Sequence, residues 1–174
     1  DRLGVEITPP ALPFPRISME AAQKILKEQG YQLPPEKKGD IDPGGERVLG
    51  DWVKAYYNHD FVFLTDWPFS VRPFYHMRHP DNPALTRSFD LLAKGLEITT
   101  GAQREHRPEI LKEQALEKGL SLDPISFYLD FFRFGCPPHG GYGFGLARFL
   151  MILLGIANIR EAVFLFRGPT RLEP

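Results

Sequence analysis

Side chains that could take part in catalysis or ligand binding are concentrated in the segment GLEITTGAQREHR, residues 95–107. They are a carboxylate, two hydroxyls, an amide and a guanidinium: Glu97, Thr99, Thr100, Gln103 and Arg104. Alternation along an ideal strand separates Glu97, on one face, from Thr100 and Arg104 on the other, and Gln103 would share the face of Glu97. The residues alone leave two interpretations open: a half-exposed strand with polar residues facing solvent, or an oxygen-ligand magnesium site beside an anion-binding arginine.

A second segment, PPHGGYGFGLAR, combines four glycines with one cationic side chain. The glycines are Gly140, Gly141, Gly143 and Gly145. They strip side chains from a predicted strand, which permits a ligand to lie against the backbone. Arg148 falls one turn into the next predicted helix, from where it could reach a phosphate or stack on a base. The spacing matches neither the dinucleotide fingerprint nor the P-loop, so a plain glycine-rich turn remains an equal alternative.

A third segment, TDWPFSVRPFYHM at residues 65–77, interleaves aromatic residues with Arg72. Such a pattern is found at nucleotide-stacking surfaces, but aromatic residues more often form the core and its rim. His76 and His79 are three residues apart in a predicted loop with no further ligand near them, which is a poor metal pair. The chain carries no nucleophile elbow and no HExxH sequence.

The composition excludes several classes of protein. The chain has 174 residues, a formal charge of −1 and 43% hydrophobic residues, which suits one domain or a large piece of one and excludes general disorder. A single cysteine, Cys136, excludes a disulfide framework or a thiolate-rich zinc site and favours a reducing, cytoplasmic compartment. No apolar run approaches the roughly 20 residues of a membrane helix. With no bulk positive charge, any contact with nucleic acid must be local.

Hydrophobic periodicity, together with the positions of proline and glycine, predicts an α+β fold with antiparallel strands. Pro108 and Gly119 bracket one helix, and Gly135 and Gly155 close two others. Strands followed by helices favour a mainly antiparallel sheet flanked by helices over a doubly wound sheet. Helices are predicted at 18–29, 46–57, 108–118, 125–134 and 146–154, and strands at 61–65, at 140–145 and in a hairpin within 87–104 that turns near 93–95.

Taken together, the segments resemble the catalytic domain of class II aminoacyl-tRNA synthetases, in particular aspartyl-tRNA synthetases of the archaeal and eukaryotic type. The resemblance is carried by VRPFYHM, SFDLLAKGLEITTGAQREHR and FGCPPHGGYGFGLARFLMILLGIANIREA, and the ending FLFRGPTRLEP is similar to the family's tail. It covers nearly the whole chain and implies that residues 1–174 are the C-terminal part of such a domain. It also implies an antiparallel sheet that holds ATP, magnesium and aspartate.

The resemblance assigns roles by position. Glu97 matches the residue that binds magnesium and ATP, and Thr100 stands where a serine usually helps to hold metal and amino acid. Arg104, together with Gln103, stands in the aspartate-binding segment, where the arginine grips the side-chain carboxylate. The ATP-binding segment of the family falls on Gly145, Leu146, Ala147 and Arg148, with Arg148 at the family's invariant arginine.

The implied reaction joins the aspartate carboxylate to the α-phosphate of ATP, expels pyrophosphate and then passes the aspartyl group to tRNA. The implied partners are aspartate, ATP and tRNA, in a cytoplasmic enzyme that is a homodimer when intact and does not bind membranes. Glu97 and Thr100 are an odd number of residues apart, so a bulge near Thr100–Gly101 is expected to bring them to one face.

Several departures from the family keep alternatives open. Ala147 replaces an acidic residue, and Phe166 and Gly168 replace the Pro and Asp of the usual tail. The family's first two motifs and its anticodon-binding barrel are not in this sequence, so the chain alone is expected to bind nucleotide weakly and not to charge tRNA. The alternatives are an amide synthetase that gives the adenylate to ammonia and makes asparagine, an asparaginyl-tRNA ligase, and a non-catalytic nucleotide-binding module.

Overall fold

The computed structural model describes residues 4–37 and 39–173. Its strands are β1 Arg16–Ser18, β2 Phe61–Thr65, β3 Ser88–Ala93, β4 Leu96–Gln103 and β5 Gly140–Phe144. Its helices are α1 Met19–Glu28, α2 Pro43–Tyr57, α3 Pro108–Glu117, α4 Ser126–Arg133 and α5 Leu146–Leu154. The strands form one sheet in the order β1-β2-β3-β4-β5, in which only the β1–β2 pair is parallel. The predicted α+β fold with a mainly antiparallel sheet is therefore confirmed.

One face of the sheet, which we call the helix-packed face, bears Val62, Leu64 and Leu92. These three side chains pack with Leu26 of α1 and Leu49 of α2, and each of the five is at most 1% exposed. Burial of an aliphatic side chain of this size stabilises the fold by about 1.5–3 kcal/mol. The two helices therefore anchor the β1–β3 side of the sheet.

The two N-terminal helices begin at side-chain caps. The hydroxyl of Ser18 accepts from the amide N–H of Ala21 at 3.2 Å, as predicted for the start of α1. The start of α2 was predicted at Glu46, but the helix begins three residues earlier, at Pro43, because Asp42 accepts from the N–H of Gly45 at 3.0 Å. A proline at the first helical position suits this start, since its missing N–H would have no helical partner there.

The β3–β4 hairpin turns at Lys94 and Gly95, which both have positive φ values, 46° and 71°. This confirms the turn predicted near 93–95 and matches the backbone of a two-residue hairpin turn. The turn packs closely on α2: a Cβ added to Gly50 would lie 2.5 Å from the backbone N of Gly95. The hairpin is thus held against the helix by a contact that only glycine permits.

The third and fourth helices form a second, smaller core around Leu111, Leu129 and Phe132. Helix α4 is one residue shorter at each end than the predicted 125–134, and at its N-terminal side Ile125 belongs to a 3-10 turn. The predicted loop that contains His76 and His79 is partly ordered by two isolated β-bridges, between His76 and Arg104 and between Arg78 and Thr86. No helix among the described residues is long and apolar enough to cross a membrane.

Candidate active site

A β-bulge in β4 decides which side chains share a face. The consecutive residues Leu91 and Leu92 of β3 pair with Thr99 and Glu97, so Ile98 is an extra residue in β4. Because a bulge shifts the alternation by one residue, Glu97 joins Leu92 on the helix-packed face, where Thr100 also lies.

The prediction that a bulge unites Glu97 and Thr100 is thus correct in kind but wrong in place, since the bulge lies at Ile98 and not near Thr100–Gly101. Gly101 serves a different purpose: a Cβ there would lie 2.5 Å from the ring of Phe89 and 2.7 Å from Cβ of Tyr142. The sheet therefore needs a glycine at this position to pack its other face.

Arg72 organises the centre of the helix-packed face. Its guanidinium donates to Asp90 Oδ2 at 2.7 Å and to Thr100 Oγ1 at 3.3 Å. It also stacks on Trp67, with 3.8 Å from Cζ to the ring centroid. Burial raises the pKa of Asp90, although the Arg72 charge opposes that shift. Asp90 Oδ1 is buried and has no protein partner, so this carboxylate has a free oxygen beside the hydroxyl of Thr100.

Glu97 lies between Glu46 of α2 and Arg148 of α5. Its backbone N–H donates to Glu46 Oε2 at 3.0 Å, while its carbonyl accepts from Arg148 Nη1 at 2.9 Å. The Glu97 carboxylate is 3.8 Å from the same guanidinium. Burial raises the pKa of Glu97, and the nearby carboxylate of Asp90 raises it further. Three carboxylates and two arginines therefore share a half-buried, electrostatically coupled site.

The glycine-rich segment forms the open side of this site. Gly143 pairs with Thr100, and a Cβ added to it would have no other heavy atom within 4 Å. Gly145 donates its N–H to the carbonyl of Ile98 at 2.7 Å, and this contact ties the start of α5 to the bulge. The bulge and the first turn of α5 together place Arg148 over Glu97. Of the two residues between Gly145 and Arg148, Leu146 is exposed and Ala147 is half-buried.

Arg104 lies at a neighbouring cavity of about 500 Å³. Its Nη2 donates to the carbonyl of Gly141 at 3.3 Å, and its Cζ is 5.0 Å from the centroid of the Tyr75 ring. The backbone of His76 pairs with that of Arg104 in an isolated antiparallel bridge, and His76 is 4% exposed. Burial, followed by the charges of Arg104 and Arg72, lowers the pKa of His76 to about 4. The imidazole is therefore neutral at physiological pH, and the arginines provide the positive charge here.

The structure does not bring Gln103 to this site. Alternation from Thr100 through Ala102 to Arg104 puts Gln103 on the opposite face, where its Oε1 accepts from Arg87 Nη1 at 2.9 Å. The other predicted residues do converge: Glu97, Thr100, Gly145 and Arg148 lie at one end of the site. Arg104 lies four residues beyond Thr100 on the same face, directly after the end of β4.

Asp90 and its contact with Arg72 were not predicted from the sequence. The available signal was a charged residue inside the apolar strand SFDLLA, since a buried charge in a strand requires a partner. Among the described residues, no group of three or more His, Cys, Asp or Glu side chains could hold a metal ion. Magnesium is commonly bound by only one or two carboxylates together with substrate phosphates, so Asp90 and Glu97 remain suitable ligands.

Comparison with known proteins relates this geometry to a family. The family described as tRNA synthetases class II (D, K and N) matches residues 4–167. An aspartate–tRNA(Asp/Asn) ligase from Aeropyrum pernix is 48% identical over 98% of the chain and 39% of its own length. A cytoplasmic aspartate–tRNA ligase from Rattus norvegicus is 43% identical over 93% of the chain and 32% of its own length.

Comparison with solved structures leads to the same family. An aspartyl-tRNA synthetase from Entamoeba histolytica has a TM-score of 0.86 and 41% identity over 93% of this chain and 33% of its own. An asparaginyl-tRNA synthetase from Pyrococcus horikoshii, complexed with asparaginyl-adenylate, has a TM-score of 0.82 and 33% identity over 93% of this chain and 36% of its own. This chain spans about two fifths of the length of its curated relatives. It belongs to the class II tRNA synthetases of the aspartate, lysine and asparagine group.

Proposed function

We propose that residues 1–174 are the C-terminal part of the catalytic domain of an aspartate–tRNA ligase. The activity is the activation of aspartate with ATP and the transfer of the aspartyl group to tRNA. The observation that carries the proposal is the bulge at Ile98, because it unites Glu97 and Thr100 on the face that also bears Arg104. Relatives named as aspartate–tRNA ligases, 41–48% identical, support the same activity.

The nucleotide is proposed to lie along β5 and the start of α5. Gly143 leaves the backbone open, and Gly145 begins the helix without a side chain that would block the phosphates. Arg148 is fixed by its hydrogen bond to the carbonyl of Glu97, so its planar guanidinium can pair with phosphate or stack on the base. Leu146 and Ala147 contribute backbone in this segment and no charge.

Magnesium fits the oxygen donors on the helix-packed face. Asp90 has a buried oxygen without a protein partner, and the Glu97 carboxylate and Thr100 hydroxyl lie on the same face. These are the hard oxygen ligands that this ion prefers. We propose that Glu97, Thr100 and Asp90 hold the ion, which would neutralise charge on the phosphates. The hydrogen bonds that Arg72 donates to Asp90 and Thr100 fix the positions of these two side chains.

Arg104 is proposed to select the amino acid. A guanidinium presents two parallel N–H donors that match a carboxylate, whereas the amide of asparagine provides only one acceptor oxygen. The Tyr75 ring and the carbonyl of Gly141 fix the orientation of Arg104 before the ligand arrives. This electrostatic match favours aspartate over asparagine, although asparaginyl-tRNA synthetases are structural neighbours at 32–33% identity.

The reaction is the attack of the aspartate α-carboxylate on the α-phosphate, with pyrophosphate leaving. Charge stabilisation by Arg148 and positioning by Arg104 are the contributions of this chain. We further propose that tRNA accepts the aspartyl group, that the intact enzyme is a homodimer and that it is cytoplasmic without binding membranes. The remaining ATP contacts are expected from the part of the relatives that this chain does not span.

The test is aspartate-dependent ATP–pyrophosphate exchange in a chimera in which this chain replaces the matching segment of the Aeropyrum pernix ligase. We expect aspartate to support exchange and asparagine to be at least tenfold poorer. Arg104→Ala should reduce kcat/KM for aspartate by roughly two to four powers of ten, the equivalent of about 3–5 kcal/mol for a desolvated carboxylate left unpaired. The matched control is Lys24→Ala on α1, whose side chain is 78% exposed.

Different outcomes separate the alternatives. Transfer of aspartate to tRNA supports the ligase, whereas transfer to ammonia without tRNA supports the amide synthetase. A folded chimera that does not catalyse exchange with either amino acid supports the non-catalytic module. Equal exchange with Arg104 and with Ala at that position would contradict the proposed role of this residue.

A further inference from the structure

Lys118, at the C-terminal end of α3, holds a 3-10 turn that the chain forms at Phe69–Val71. Its Nζ donates to the carbonyl of Phe69 at 2.6 Å and to that of Ser70 at 2.8 Å. The same atom lies 4.4 Å from the centroid of the Phe69 ring. Because charge-assisted hydrogen bonds are stronger than neutral ones, the turn is fixed from outside by this one charged side chain.

Arg72, which orients Asp90 and Thr100 on the helix-packed face, follows this turn directly. Its backbone N–H donates to the carbonyl of Phe69 at 3.1 Å, so Lys118 and Arg72 share one acceptor. A displacement of the turn would therefore move the backbone of Arg72. The guanidinium that fixes the two oxygen donors would move with it.

Gln114, one helical turn before Lys118 and on the same face of α3, holds the next part of this segment. Its Nε2 donates to the carbonyl of Phe74 and, at 3.3 Å, to that of His76. Gln114 is 3% exposed, and its Oε1 is buried without a protein partner. Because a buried acceptor left unpaired costs stability, this amide is best explained by what its two donors hold. The residue between the two bonded carbonyls is Tyr75.

Tyr75 extends this contact to the proposed aspartate cavity. Its ring centroid lies 5.0 Å from Cζ of Arg104, and both residues line the cavity. The carbonyl of Tyr75 accepts from the N–H of Glu105 at 2.9 Å. The segment is thus bonded to α3 on one side and to the chain directly after β4 on the other. Gln114 therefore fixes the place from which the Tyr75 ring supports Arg104.

We propose that α3 positions the two halves of the site through two separate side chains. Lys118 acts through Arg72 on the proposed magnesium ligands. Gln114 acts through Tyr75 on Arg104 and hence on aspartate. Both act only through other residues, so they are positioning residues and not catalytic ones. This inference rests on the proposed function, since it takes from it the roles of Arg104 and of the magnesium ligands.

The experiment compares Lys118→Met with Gln114→Met, since each removes the donors and keeps an unbranched side chain. Magnesium and a non-hydrolysable aspartyl-adenylate analogue are titrated separately into the ¹⁵N-labelled 174-residue chain and followed by NMR. Lys118→Met should weaken magnesium binding about tenfold, the lower end of what loss of an outer partner costs a metal site, and leave analogue affinity within about threefold. Gln114→Met should weaken analogue binding about tenfold, as for one hydrogen bond to a charged group, with magnesium affinity within about threefold.

The matched control is Lys112→Met on the same helix, which removes the same charge but whose Nζ pairs with Glu109 at 3.0 Å. It should leave both affinities unchanged. Lys118→Arg keeps the charged donors and should restore most of the magnesium affinity, which a purely structural loss of packing would not allow. If Lys118→Met and Gln114→Met weaken both ligands equally, or weaken neither, the two residues are structural and the proposal is wrong.

A signal that needs no ligand separates this inference from the proposed function. The Arg72 guanidinium lies 3.8 Å from the centroid of the Trp67 ring, so the ring current shifts its NMR signals. Lys118→Met should abolish this shift, and Gln114→Met should retain it. If the unsubstituted chain binds neither ligand but Lys118→Met still loses the shift, the proposed function is wrong and the positioning of Arg72 by Lys118 stands. A shift that persists in Lys118→Met would overturn the inference and leave the proposed function untouched.

Discussion

Protonation of His76 should destabilise the fold by an amount that can be worked out. The imidazole is buried, packs edge-on against Tyr75 with 5.2 Å between ring centroids, and has its pKa lowered from 6.5 to about 4. A histidine with a lowered folded-state pKa binds its proton more tightly when unfolded, so stability is lost as the pH falls from 6.5 to 4. Each pH unit in that interval costs at most about 1.4 kcal/mol. The full loss is thus about 3 kcal/mol, of which about 2 kcal/mol is lost by pH 5.

The assay is urea denaturation of the chain and of His76→Gln, followed by tryptophan fluorescence near neutral pH and near pH 5. The glutamine variant loses packing at both values, but it cannot titrate at this position. The free-energy gap between the two proteins should therefore narrow by about 2 kcal/mol on acidification. The other four histidines are common to both proteins and cancel in the comparison. A gap that stays constant would refute the assignment of His76 as a buried, neutral residue between two arginines.

Three further predictions concern the site. Gly143→Ala should leave the free energy of unfolding in urea nearly unchanged, because the added Cβ meets no other atom, and yet it should weaken binding of a non-hydrolysable aspartyl-adenylate analogue. Its control, Gly50→Ala, should instead cost about 1–3 kcal/mol of stability, because the added Cβ overlaps the backbone of Gly95. Arg148→Lys should reduce exchange in the chimera at least tenfold with an unchanged melting temperature, since lysine keeps the charge but loses the planar fork; parental exchange would contradict it. Magnesium affinity, measured by NMR, should fall at a pH above the usual range for glutamate, because the raised pKa of Glu97 makes protons compete earlier; a fall only within the ordinary range would argue against Glu97 as a ligand.

The elements predicted correctly from the sequence are those set by their own chain neighbours. Ser18 begins α1 and Gly155 ends α5 in the left-handed conformation, and both effects are local. The start of α2 was predicted three residues too late, at Glu46, although Asp42 followed by proline is itself a start signal.

The site was predicted less completely, since it depends on pairing between strands. The bulge at Ile98 follows from the register of β4 against β3 and cannot be derived from β4 alone. The same bulge separates Gln103 from Glu97, which unbroken alternation would have placed on one face. Asp90 and Arg72 are 18 residues apart, and only the fold brings them to 2.7 Å. The resemblance supplied Glu97, Thr100 and Arg104, whereas the structure supplied the reason that they share a face.

The central claim is that the bulge assembles one aminoacyl-adenylate site on the helix-packed face. It is tested most directly by mapping the non-hydrolysable aspartyl-adenylate analogue onto the ¹⁵N-labelled chain by NMR. The account predicts saturable shifts at Thr100, Gly143 and Gly145 and at the guanidinium groups of Arg104 and Arg148. Shifts confined to the opposite face of the sheet would contradict it, and so would the absence of any shift at a large molar excess of the analogue.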